Sequence, residues 1–379
     1  MDTLPKWLDT VILNSMRTRA RPDSIPAPPR GRGALGNPEH RFTRVENRAV
    51  DDGWPREIED LPPVRTTVTA ETAKTIISRN QSPDVPFEQS INPYRGCEHG
   101  CVYCFARPSH SYLDLSPGLD FETKLFFKQN ALQLLEAELR NPKYECKPIV
   151  LGINTDAYQP IERELKITRQ LLELLLEYRH PVSILTKGIT ILRDLDVLGE
   201  LADRNLLSVS VSLTTMDNEL KRTLEPRTAS PTGRLKVIRA MADLGLKPGV
   251  LVAPVIPQVN DREIESILEA AAEAGAGSAG YVLLRLPHEL KTVFREWLET
   301  HYPDRAKHVM SLVQQMRSGK EYDSAFGTRM TGTGPFATLI RNRFRVAQRK
   351  FGLAADDRFE LDTTRFRRPA RSGDQLALL

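Results

Sequence analysis

From Phe87 onward, short β-branched runs alternate with amphipathic segments of helical period, and this alternation constrains the chain more than any other feature. Strands are expected at Glu88–Asn92, Ile149–Asn154, Val182–Lys187, Leu207–Thr214, Gly249–Ile256 and Tyr281–Leu286. Helices are expected between them at Glu122–Leu139, Arg163–Tyr178, Ile191–Arg204, Thr232–Asp243 and Asp261–Ala274, with Glu289–Leu298 after the sixth strand. Leu165, Leu172, Leu175 and Leu176, with Thr168 in line, recur at helical steps, so one helix face must be buried. The near-continuous apolar run VLVAPVI reads as a strand covered on both faces, which calls for parallel neighbours. Six such units with right-handed crossovers give an α/β fold, a partial (β/α)6 TIM-like barrel. A doubly wound sheet is the alternative, but its glycine-rich dinucleotide turn is missing after the first strand.

The barrel accounts for residues 86–287 of a 379-residue chain. Residues 1–85 form an N-terminal arm, in which RPDSIPAPPRGRGALGNPEHRF reads as mobile and Thr43–Pro86 is expected to pack along the outside of the core. Residues 288–379 form a helical extension with a basic tail. No run approaches the roughly 20 apolar residues that span a bilayer, so no membrane role is expected. The N-terminal MDTLPKWLDTVILN does not resemble a secretory signal. Three of the four cysteines lie within eight residues, a spacing that suggests ligands in a reducing cytoplasm rather than a disulfide scaffold. Between Arg341 and Arg371 ten basic residues face four acidic ones, and seven arginines fall between Arg17 and Arg44. Both ends suit a polyanion such as nucleic acid; a solvated basic surface is the plain alternative.

In a barrel of this kind the chemistry sits at the C-terminal ends of the strands. Polar residues do fall there: Cys97 after the first strand, Asn154, Thr155 and Asp156 after the second, Thr186 and Lys187 at the third, Ser210 and Ser212 on the fourth. The loop NPYRGCEHGCVYCFARP spaces Cys97, Cys101 and Cys104 as CxxxCxxC. Three thiolates on one short loop can grip three irons of a cubane cluster and leave the fourth open. A Cys3His zinc site using His99 or His110 is the alternative. Arg95 and Arg107 flank the loop, either to offset thiolate charge or to cap it.

CxxxCxxC with an aromatic residue, Tyr103, before the last cysteine, at the end of the first strand of a βα chain, resembles the radical S-adenosylmethionine superfamily. The resemblance spans roughly Pro86 to Leu286. It implies a [4Fe–4S] cluster on Cys97, Cys101 and Cys104, with S-adenosylmethionine chelating the open iron. One electron would then cleave the cofactor and yield a 5′-deoxyadenosyl radical for hydrogen abstraction. It also implies a reducing electron donor of flavodoxin or ferredoxin type. Asp156 and Thr155 are candidates for the cofactor's ammonium, Lys187 or Arg227 for its carboxylate, and Ser210 and Ser212, which share a strand face, for its ribose. Gly249–Pro254 resembles the superfamily's adenine-packing strand.

Within the superfamily, RGCEHGCVYC, Asn154–Asp156, SILTKG and SVSVSL resemble the spore photoproduct lyase-like group, also termed DNA repair photolyase-like. Those lyases keep a hydrogen-donating cysteine just ahead of the Asn154–Asp156 step, where this chain has Ile153. The spare thiol, Cys146, is placed at the opposite end of the barrel, most simply as an inert residue. The readings left open are radical chemistry on a nucleic-acid base, radical chemistry on a protein or small metabolite, and a non-catalytic cluster-bearing sensor. Past the sixth strand, Ala306–Met316 and Phe336–Phe351 are helix-like. Arg341, Arg345 and Arg349 form a basic stripe on the last of them, expected beside the barrel mouth.

Overall fold

The computed structural model describes residues 29–43, 64–353 and 361–370. Among these the strands are, in chain order, β1 (Thr67–Glu71), β2 (Ile77–Arg79), β3 (Gln89–Ile91), β4 (Tyr94–Arg95), β5 (Lys124–Lys128), β6 (Ile149–Leu151), β7 (Val182–Thr186), β8 (Leu207–Ser212), β9 (Gly249–Val255) and β10 (Ser278–Leu283). Seven of them form one sheet in the order β10-β9-β8-β7-β6-β3-β2. From β3 to β10 the pairing is parallel throughout, and each strand lies beside the next barrel strand in the chain. The order never reverses, so the sheet is singly wound, as a partial barrel requires, and the doubly wound alternative falls. β2 pairs antiparallel with β3 at one edge.

Every second strand residue faces the outer helices and anchors the sheet to them. Ile149 and Leu151, Ile184, Val209 and Val211, and Val250 and Val252 are fully or almost fully buried and pack with Leu171, Leu172 and Leu175 of the helix Ile167–Glu177. Each such side chain stabilises the fold by about 1.5–3 kcal/mol on burial.

Four expectations change. The helix expected over Glu122–Leu139 is a short helix Leu119–Thr123, then β5, then a helix Ala131–Arg140. The segment KLFFK is extended because it finds partners on both sides, pairing in parallel with β1 and antiparallel with β4 in a separate three-stranded sheet. The helix at Arg163–Tyr178 is broken at Lys166, whose φ of 52° is left-handed. β10 starts three residues earlier than Tyr281, because Ser278–Gly280 find partners along Gly249–Leu251.

The fourth change concerns the last helix, Gly334–Lys350. The amide of Leu283 donates to the Met330 carbonyl at the C-terminal end of β10, while Gln348 reaches the Ala279 carbonyl near its start. The helix therefore runs antiparallel to β10 down the outside of the barrel. Arg343 pairs there with Glu265, and the stripe of Arg341, Arg345 and Arg349 descends away from the mouth rather than lying beside it.

The arm is also partly fitted. Arg32 is 6% exposed and donates to the Glu122 carbonyl, the Val64 carbonyl and the Thr66 hydroxyl at 2.8–2.9 Å. The amides of Gly33 and Ala34 donate to the two Glu122 carboxylate oxygens at 2.9 and 2.8 Å. A methyl group at Gly33 would stand 1.8 Å from the Gly100 carbonyl oxygen, inside the cysteine loop. Residues 29–43 thus pack on that loop instead of trailing as a mobile arm. The expectations placed on residues 1–28 and 371–379 lie outside the described residues.

Gly33→Ala should therefore lower the stability of the full chain by about 1–3 kcal/mol in urea denaturation, through overpacking against Gly100. Gly36→Ala, where an added carbon meets nothing within 4 Å, should stay within about 0.5 kcal/mol of the parent. Equal losses in both variants would mean that the strap does not seat as described.

Candidate active site

The cysteine loop leaves β4 through Gly96 and turns again at Gly100, at φ 76° and 66°. No side chain fits at Gly100, where an added carbon would lie 2.7 Å from a Glu122 oxygen. The Cys97 amide donates to the Phe121 carbonyl at 2.9 Å and the Val102 amide to the Leu224 carbonyl at 3.1 Å. Arg107 is fully buried beneath the loop. It donates to the carbonyls of Cys101, Pro117 and Gly118 at 2.8–3.1 Å and pairs with Glu122. Arg107 is thus a loop cap, whereas Arg95 pairs with Glu71 at the surface.

This packing turns Cys97, Cys101 and Cys104 toward one cavity of about 270 Å3 at the C-terminal ends of the parallel strands. Burial pushes the Cys101 thiol up to about 12, and Cys97 is raised well above the ordinary thiol range by burial and then by Asp156 and the neighbouring sulfurs. Thiols buried in this way become thiolates where a metal supplies positive charge. Among the described residues no three His, Cys, Asp or Glu groups converge as on a single ion. Both nearby histidines have protein partners. His110 binds the Lys124 carbonyl and packs on Phe121 outside the cavity, and His99 is held by Asp156 at 3.3 Å. The donor set fits a polynuclear cluster with one open position.

Asp156 reaches the cavity wall but is already engaged. Its oxygens accept from Thr186 Oγ1, the Tyr158 amide, the Lys187 amide and His99. Burial alone would raise this carboxyl; His99 and the Lys187 donors outweigh it and hold the group far below the usual carboxylate range. The Lys187 ammonium also faces the cavity, 6.0 Å from the centre of the Tyr103 ring. Burial opposes its charge, but Cys101, Glu225 and Asp156 leave its pKa raised. Among the described residues no hydrogen bond or ion pair takes up its Nζ.

The Tyr103 ring lines the cavity, while its hydroxyl turns away to donate to Glu225. Glu225 also accepts from Thr214 at 2.6 Å and from the buried Arg234, and these contacts, against burial, bring its pKa down to about 2. Of the two serines, Ser212 lines the cavity and Ser210 lies buried one step below it. The Thr155 hydroxyl donates to the Tyr94 carbonyl at 3.2 Å, off the cavity wall. Arg227 pairs with Glu98 at 3.3 Å, also off the wall. Ala253 and Pro254 line the cavity as the fifth-strand expectation requires, and Ile153 presents an aliphatic side chain to it. Cys146 precedes β6 and so sits at the other end of the barrel, its thiol pushed up by burial to about 12.

The sequence reading missed Glu122, Glu225 and Arg234. A signal existed for the last, since Ser230 and Pro231 start its helix as cap and first-turn residues and place Arg234 on the first inward turn.

The profile described as the radical SAM superfamily matches residues 91–271. An uncharacterized protein of Mycobacterium tuberculosis is 39% identical over 233 residues, which cover 61% of this chain and 68% of that protein. An uncharacterized protein of Methanocaldococcus jannaschii is 28% identical over 214 residues, covering 56% and 76%. Among solved structures, a spore photoproduct lyase complexed with dinucleoside spore photoproduct superposes with a TM-score of 0.54 at 17% identity, covering 79% of this chain and 86% of that one. A lyase variant with bound AdoMet gives 0.52 at 17% identity, covering 76% and 80%. At these identities the likeness to the lyase is one of fold.

Glu225→Gln leaves Arg234 buried without its counter-charge and should cost about 3–5 kcal/mol in urea denaturation at neutral pH. Because the folded-state pKa of Glu225 is depressed, its contribution is present above the unfolded carboxyl pKa of about 4 and lost as pH falls through about 2. The variant should lack that part of the acid dependence; an unchanged acid profile would remove Glu225 from the stabilising network.

Proposed function

The chain belongs to the radical S-adenosylmethionine superfamily, and we propose that its cavity holds a [4Fe–4S] cluster on Cys97, Cys101 and Cys104, with S-adenosylmethionine on the adjoining strand ends. The observation that carries the reading is the meeting of three thiols and an unpartnered ammonium, Lys187, in one cavity at those ends. When bound, the cluster and cofactor supply one-electron cleavage to a 5′-deoxyadenosyl radical that abstracts hydrogen from the substrate.

The protein's own part is binding, orientation and exclusion of water. Lys187 is placed to take the cofactor's carboxylate, and its raised pKa keeps it charged. Ser212 takes the ribose side; Ser210 supports it from beneath. Ala253 and Pro254 give the adenine an apolar wall. Asp156, with four protein donors on it, orients Lys187 and His99 more than it offers a free oxygen to the ammonium. Thr155 and Arg227 support the loop rather than the cofactor. With Ile153 in place of a cavity thiol, the hydrogen donor of the lyases has no counterpart among the described cavity residues, so a reaction other than photoproduct reversal is proposed.

The reductant is proposed to be a flavodoxin or ferredoxin type protein. A nucleic-acid substrate is the partner reading to test first: retention of the full chain on single-stranded DNA at low salt, falling steeply as salt rises, would support it. No retention would point to a protein or small-metabolite substrate.

After anaerobic reconstitution, alanine at Cys97, Cys101 or Cys104 should abolish the brown chromophore and the bound iron and sulfide, whereas Cys146→Ala should keep them. Tight zinc without iron in anaerobically purified protein would sink the cluster. Lys187→Ala should retain iron but weaken S-adenosylmethionine binding by about 1.5–3 kcal/mol, measured by equilibrium titration. Unchanged affinity would place the carboxylate pocket elsewhere.

A further inference from the structure

Arg285 stands just past β10, on the wall of the cavity that meets the cysteine loop. Its guanidinium lies 5.5 Å from the centre of the Phe105 ring and 6.0 Å from that of Tyr322. The two terminal nitrogens reach only the Met330 sulfur and the Tyr322 hydroxyl, each at 3.4 Å. Its Nε is buried and has no partner. Among the described residues no carboxylate pairs with this group.

Arg285 is half-buried, and the more deeply buried arginines are provided for. Arg107 has Glu122, Arg234 has Glu225, and Arg317 has the carbonyls of Thr328, Arg329, Leu283 and Leu284. Arg317 also lies close enough that Arg285, after burial, helps bring its pKa down to about 10. Arg317, buried behind the wall, thus adds positive potential to that of Arg285, which lines the cavity. A guanidinium held in apolar surroundings without a counter-charge is costly, and a ligand that supplies the charge removes that cost.

We propose that Arg285 anchors an oxyanion of the substrate, a carboxylate or a phosphate, through its planar fork. Two parallel N–H donors match either group, and the Phe105 ring offers a flat surface to whatever carries it. This assignment rests on reading the cavity as a radical S-adenosylmethionine site. Lys187 ends β7 and Arg285 follows β10, three strand spacings away in the sheet, or on the order of 14 Å along it. The two cations therefore serve different ligands, cofactor at one and substrate at the other.

The test titrates the reconstituted full chain calorimetrically with phenyl phosphate, benzoate and uncharged benzyl alcohol, with and without S-adenosylmethionine. At least one anion should bind the parent protein, and the better of the two identifies the oxyanion class. Arg285→Gln should weaken that anion roughly tenfold or more, and Arg285→Lys should recover part of the loss. Benzyl alcohol and S-adenosylmethionine should bind all three proteins alike. The assignment is overturned if a parent protein that binds S-adenosylmethionine binds neither anion, or if Arg285→Gln binds the anion unchanged. It is equally overturned if Arg285→Gln and Arg285→Lys lose S-adenosylmethionine but not the anion. Anion binding through Arg285 in a protein that holds no S-adenosylmethionine would overturn the functional reading alone.

Discussion

A buried ion pair, Arg107 with Glu122, holds the cysteine loop in place. Val102, Tyr103 and Ala106 of the loop are buried among apolar neighbours, and polar contacts set the course of the backbone around them. Arg107 ties the loop carbonyl of Cys101 to the carbonyls of Pro117 and Gly118 in the turn ahead of the next helix, while Glu122 binds the strap amides of Gly33 and Ala34 from the side. Neither charge is exposed, so removing one partner would leave the other uncompensated, at a cost of about 3–5 kcal/mol. On the opposite flank Glu225 and Arg234 do the same for Tyr103 and Thr214. The three thiols are thus fixed from both sides by groups that never touch them.

The openness of the barrel explains the rest of the cavity wall. Six parallel strands do not close on themselves, so the gap between β3 and β10 needs other material. Asp84, ahead of β3, pairs with Arg329, a few residues ahead of the last helix, and that pair brings Asp84 down to about 2. Val85, Phe87 and Met330 line the cavity on either side of this clasp. Phe105 and Arg285 meet across the same gap. The residues that flank the barrel in sequence are therefore what completes it, which is why residues 64–86 and the extension pack on the core rather than standing apart.

How much of this was legible in the sequence follows from range. The six barrel strands and most helices depend on periodicity within about ten residues, and they were readable at Val182–Thr186 or Gly249–Val255 to within a residue or two. The segment Lys124–Lys128 was not, because its partner strand Thr67–Glu71 lies more than fifty residues away and a five-residue strand without apolar–polar alternation carries little local signal. The cysteines were legible because their spacing is itself the chemistry. Lys187 and Ser212, picked out by the rule that function sits at strand ends, do reach the cavity. Thr155 and Arg227 satisfied the same rule and turned elsewhere, since the rule fixes a residue's height on the barrel but not the direction of its side chain. Glu122 and Arg285 had no signal of their own; each acquires meaning only from the groups that surround it, or fail to, in the folded chain.

The course of the last helix bears on how a large partner could reach the cavity. Its N-terminus adjoins the mouth, beside Met330, and at about 1.5 Å per residue its basic positions descend through Arg341, Arg345 and Arg349 toward the barrel's base. A polyanion lying along that stripe would run down the side of the molecule, with its near end alone close to the opening. Electrostatic capture there would deliver a strand end or an unstacked segment rather than the middle of a duplex, because only a free segment can turn over the rim and enter. The cation at the opening itself is Arg285, set among Phe105, Tyr322 and Met330. Selection of the reacting group therefore falls to the cavity wall, whatever the stripe outside attracts.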